Sequence, residues 1–152
     1  MTDVDGLFLL AESQSWQDRS RAGQELVAHI DKPMVDAVVL RLILDPKDTA
    51  VTTATADALL ARGDLASWRI FVHAWAVAAE MPTETNHIDH LVSCLNGALY
   101  TASLNSEKVA TMKKIVERLS SDDDERVKAA ARECVHMPAI QETSSSGRAT
   151  GM

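Results

Sequence analysis

Apolar residues recur at intervals of three and four along most of the chain, the period of an amphipathic helix, and roughly eight helices are predicted. Residues 5–13 carry Leu7, Phe8, Leu10 and Ala11. Ser15 then caps a second helix, with Asp18 three residues on as its capping partner and a stripe of Trp16, Ser20, Gly23, Val27 and Ile30. Pro33 stands where a first-turn proline belongs. The segment it opens, 34–44, is apolar almost all round through Val38, Val39, Leu40, Leu42, Ile43 and Leu44, with Asp36 and Arg41 as its interruptions. A helix of that kind is buried on several sides.

Asp45-Pro46 stops that helix and Asp48 caps the next. Residues 49–56 hold four threonines, which favour strand over helix. Val51, Thr55, Ala58 and Arg62 nevertheless keep helical spacing, and no second strand is available to pair, so a helix is predicted, ending at Gly63. The fifth helix shows a stripe at Leu65, Trp68, Val72, Trp75 and Ala79, and Pro82 closes it. A sixth covers 84–102 with Ile88, Leu91, Leu95, Leu99 and Ala102. Asn105 or Ser106 caps a seventh bearing Val109, Met112, Val116 and Leu119. The last starts in the acidic run at 122–125, which complements the positive end of the helix dipole, and buries Val127, Ala130, Ala131 and Cys134 before Pro138. Beyond this the chain turns Ser-, Thr- and Gly-rich. The expected organisation is one helical domain, 1–137, and a disordered tail, 138–152.

A longer spacing overlies the short one. Ser15 and Asp48 stand 33 residues apart, as do Asp31 and Asp64, and each marks the same place in a helix, break, denser helix unit. Such a period belongs to stacked helix pairs. The unit Asp48-Thr49-Ala50-Val51, then Ala54, Ala58-Leu59-Leu60 and Gly63-Asp64, resembles the HEAT-repeat family, and 122–131 resembles it further, with acids, then Val127, then spaced alanines. The likeness extends over about 15–137 and is degenerate. Asp18 stands where the first pair would carry Val, and the third pair lacks the Asp cap. It implies an all-α fold, a short right-handed solenoid of about three and a half helix pairs, with an irregular helical bundle as the alternative. It also implies scaffolding or macromolecular binding, and brings no catalytic residues.

Composition narrows the partners. The net charge of -7 opposes a nucleic-acid backbone as ligand, since phosphate binding needs clustered Lys and Arg. It suits a basic protein partner. No apolar run approaches the roughly 20 residues that span a bilayer, so no membrane partner is expected. Two cysteines, both on apolar stripes, read as buried free thiols in a cytoplasmic protein.

Chemistry-bearing groups are sparse. His87, His90 and Cys94 share one helical face, and Cys134 and His136 could approach them, which would offer zinc its thiolate and imidazole ligands. The spacing matches no standard zinc signature, and the commoner outcome is surface histidines beside a packed thiol. No helix N-terminus or strained turn activates either cysteine as a nucleophile. No Gly-rich phosphate loop is present. No catalytic residue, metal or cofactor is therefore expected, and the function inferred is a non-enzymatic protein-binding module. Its size and charge suit an immunity protein or antitoxin that blocks a basic toxin; a structural or regulatory subunit of a larger complex is the alternative. The polar interruptions of the denser helices, Asp36, Arg41, Arg69 and His73, are the expected partner contacts.

Overall fold

The computed structural model describes residues 3–81, 87–102 and 104–135, and every regular element in them is helical. The helices are α1 (Val4–Ala11), α2 (Trp16–Leu26), α3 (Pro33–Ile43), α4 (Thr49–Arg62), α5 (Leu65–Glu80), α6 (His87–Ala102), α7 (Ser106–Leu119) and α8 (Glu125–Val135), with a 3-10 turn at Val27–His29 after α2. No helix among the described residues is long and apolar enough to cross a membrane. Pro82, the first residues of the predicted sixth helix, His136, Pro138 and the tail lie outside the described residues.

Local chemistry sets most boundaries. Ser15 accepts from the Asp18 amide, Asp48 from Ala50, and Asn105 from Glu107 and Lys108, so the first amides of α2, α4 and α7 find acceptors. Asp64 and Ser67 form a reciprocal capping box at the start of α5. Gly63 takes a left-handed conformation (φ 66°) that ends α4 within one residue of that cap. Asp31 is the one described non-glycine residue with positive φ (76°), and its amide donates to the Asp36 carboxylate at 2.8 Å. Thr49–Arg62 is helix throughout: Thr55 returns its hydroxyl to the Val51 carbonyl, and Thr52 and Thr55 are buried.

The helices pack in two rows. α4 lies between α2 and α6, and α5 lies between α3 and α8. α1 covers α2 and touches α3 at one end; α7 joins α6 to α8 at the other. α5 meets α8 more extensively than it meets α7, which departs from simple stacking of consecutive pairs. The core runs continuously through the array, with Leu26, Val39, Ile43, Leu59, Trp68, Phe71, Leu91, Leu95 and Val127 almost without exposure. Trp68 meets Phe71 edge-on at 5.8 Å between ring centroids, and Phe71 lies tilted against Trp75 at 6.2 Å. Such pairs add to the area they bury.

One predicted stripe fails at its first residue. Gly23, Val27 and Ile30 of that stripe are buried, but Trp16 is 44% exposed, and Arg19, Ala22 and Leu26 are buried beside them. The cause is Arg19. Its guanidinium donates to Asp45 through Nε (3.0 Å) and Nη2 (3.3 Å) and to the Ser13 and Gln14 carbonyls through Nη1. Asp45 also accepts from the amides of Lys47 and Asp48. This buried pair rotates α2 so that its first residue faces solvent.

Candidate binding cleft

One face of α6 is not fully covered by its neighbours. His90, Ser93, Cys94, Gly97, Ala98, Thr101 and Ala102 follow one another at alternating intervals of three and one, so they form a single stripe along the helix. They floor an open cleft of about 920 Å³. Thr53, Asp57, Leu60 and Ala61 of α4 make one wall, and Glu107, Lys108, Thr111 and Met112 of α7 make the other. The floor is shallow because its central side chains are small; a Cβ placed on Gly97 would meet nothing within 4 Å.

The chemistry of the cleft centres on Asp57 and Cys94. The Cys94 thiol lies within hydrogen-bonding range of both Thr53 and Asp57, and burial, helped by the Asp57 charge, pushes it up to about 11. It is therefore a protonated thiol at neutral pH and a poor nucleophile. Burial also raises Asp57, and the Cys94 hydrogen bond partly offsets that rise. No cationic side chain among the described residues pairs with Asp57. Arg62, which lines the cleft, is committed elsewhere, to Asp64 at 2.8 Å and to the Val27 carbonyl at 2.6 Å.

The metal candidates are separated. His87 is buried at the start of α6, where its Nε2 meets the Asp45 carbonyl oxygen at 2.8 Å, and it does not line the cleft. His90 and Cys94 do line it. Cys134 is buried in α8, which packs on α5 and α7, and burial pushes its thiol up to about 12. Among the described residues, no three His, Cys, Asp or Glu side chains converge as a metal site.

Of the four residues expected to contact a partner, three share a neighbourhood. Arg69 donates from Nε and Nη2 to the two carboxylate oxygens of Asp122, each at 3.2 Å, and is held above its ordinary value mainly by that contact, with Asp124 and Asp36 nearby. His73, half-buried on α5, helps Arg69 hold Asp122 below the usual carboxylate range. Asp36 spends its carboxylate on the Asp31 amide. Arg41 turns the other way and pairs with Glu12 at the end of α1. The charges on this face are thus largely satisfied within the chain. The cleft was only half legible in sequence: Cys94 and His90 stand out as chemistry-bearing residues, whereas Asp57, 37 positions before Cys94, reads as one more exposed helix acid.

No protein-family model matches the chain, and no curated protein or solved structure matches it either.

Proposed function

We propose that this chain is a non-enzymatic protein-binding module, built as a short HEAT-like right-handed stack of helix pairs, and that its partner is a basic protein. The observation that carries the reading is the open cleft, a helix-long trough with small residues on its floor and, on its wall, a carboxylate with no cationic partner among the described residues. The two rows of helices support the repeat character, with α1 and α7 as end covers. The net charge of -7 supports a basic partner by attraction at encounter. Within this class, a compact acidic binder suits an immunity protein or antitoxin that occludes a basic toxin. The test is co-expression with the product of the adjacent gene. Protection of the host and co-elution of the two chains support the role; unprotected growth and separate elution remove it.

A second reading has its own support. Leu9, Trp16 and Met34 are strongly exposed on the first three helices, at the end covered by α1. Exposed tryptophan is a common interface anchor. In that reading the chain is a structural or regulatory subunit docked by its α1 end. Trp16→Ala would then abolish assembly while substitutions in the cleft leave it intact.

A further inference from the structure

We propose that the α4–α6–α7 cleft receives a single helix of the partner protein, seated on the small-residue floor of α6 with a lysine or arginine side chain set against Asp57. This deepens the protein-binding reading above and rests on it.

Shape supports a helix as occupant. The floor runs from His90 to Ala102, about 18 Å at 1.5 Å per residue, which is the length of three helical turns. Two helices approach closely where small residues stand at intervals of three and four, and Gly97, Ala98 and Thr101 supply that surface. Leu60 and Met112, one on each wall, give the incoming helix apolar flanks, and the methionine can adapt to them. An amphipathic helix laid in a groove is a recurrent recognition mode.

Charge selects the side chain. Asp57 stands exposed on the α4 wall, accepts from the Cys94 thiol, and has no cationic partner among the described residues, while Lys108 stands on the α7 wall next to Glu107. Docking a helix over it would remove its remaining water, and a carboxylate so covered requires a cation. The two other acids near this end are placed differently: Glu107 lies on the opposite wall, and Asp64 already holds Arg62. The helix is therefore expected to carry its basic residue on the α4 side, within one turn of its contact with Gly97.

The probe is a display library of alanine-rich helical peptides of about 14 residues, about 21 Å long, randomised on one face and selected on the whole chain. Selected peptides should carry Lys or Arg flanked at three or four positions by small or apolar residues. Asp57→Asn, which keeps size and hydrogen bonding, should weaken them at least about tenfold. Gly97→Leu fills open space without touching the core and improves helix propensity, so the protein should stay folded; it should weaken the same peptides about tenfold or more. Asp89→Asn, on α6 but outside the cleft, should change nothing. Selected peptides that bind both cleft variants like wild type overturn the proposal, as does enrichment of acidic or uncharged sequences, or of none. Peptides or partners that bind firmly yet ignore both variants would remove the cleft and leave the protein-binding reading standing; a chain that retains no protein at all would remove the reading itself.

Discussion

Gly23 and Thr55 fix how closely α2 and α4 approach. A methyl group on Gly23 would stand 2.0 Å from the Thr55 hydroxyl oxygen and 3.1 Å from its Cβ, far inside contact distance. Thr55 cannot swing away freely, because its hydroxyl is bonded to the Val51 carbonyl at 2.8 Å. Helix propensity alone would make Gly23→Ala stabilising by up to about 1 kcal/mol. Overpacking of a tight crossing costs about 1–3 kcal/mol, so the clash should win and the variant should be less stable. Adding Thr55→Ala removes the oxygen and should recover most of the loss. A double-mutant cycle by chemical denaturation reads the coupling; a Gly23→Ala variant as stable as wild type would show that the rows separate more easily than this packing allows.

Arg19 and Asp45 tie the α1–α2 junction to the α3–α4 junction through a buried, two-pronged ion pair. Removing one partner leaves the other charge buried and uncompensated. Arg19→Met should therefore cost about 3–5 kcal/mol, with Asp45 still holding the amides of Lys47 and Asp48. The paired replacement Arg19→Met with Asp45→Asn should be less damaging than Arg19→Met alone. Urea midpoints for the wild type, both single variants and the double decide the matter, and additive losses would contradict the pairing.

Arg69 and Asp122 make a comparable pair at the surface, and it should be worth far less. Arg69 is about half exposed, so Asp122→Asn should cost only about 0.2–1 kcal/mol, and less in high salt. Asp122 is held below its ordinary 3.8 in the folded chain by Arg69. The unfolded chain therefore takes up this proton first as the pH falls. The stabilisation is complete above 3.8 and disappears as the pH drops through the lower folded value. Asp122→Asn should flatten that acid limb in a stability-against-pH series, and an unchanged limb would dismiss the pair.

The two thiols act at the opposite end of the scale. Cys94 and Cys134 are raised from 9.0 to about 11 and about 12 by burial. Above pH 9 the unfolded chain ionises while the folded chain does not, so stability should fall as the pH rises from 9 towards those folded values. Cys134→Ala should make the decline shallower, with the wild type measured under reducing conditions. An equal slope in both proteins would mean that Cys134 ionises freely in the folded state.

The elements that sequence reveals here are those decided by neighbours in the chain. Asp48, Gly63, Asp64 and Asn105 each act within three residues, through an amide or a backbone angle, and the spacing of apolar residues carries the rest of each helix. Residues 49–56 are helical despite their threonines because Thr52 and Thr55 are buried and Thr55 faces α2, where Gly23 makes room. Trp16 eluded the pattern because its place depends on Asp45, 29 positions away, which draws Arg19 inward. The pairing of α5 with α8 and the cleft itself arise from helices distant in sequence, so no local signal marks them. Asp57 gains its interest only from Cys94 beside it and from the lack of a cationic partner among the described residues, and both are properties of the packed state.

Binding of a basic protein, as proposed, is tested most directly by calorimetric titration with the protein that the chain retains from its native extract, purified, at about 50 and about 300 mM salt. The expected result is a basic partner bound stoichiometrically, with affinity that falls as salt rises. An acidic partner, or binding indifferent to salt, would contradict it.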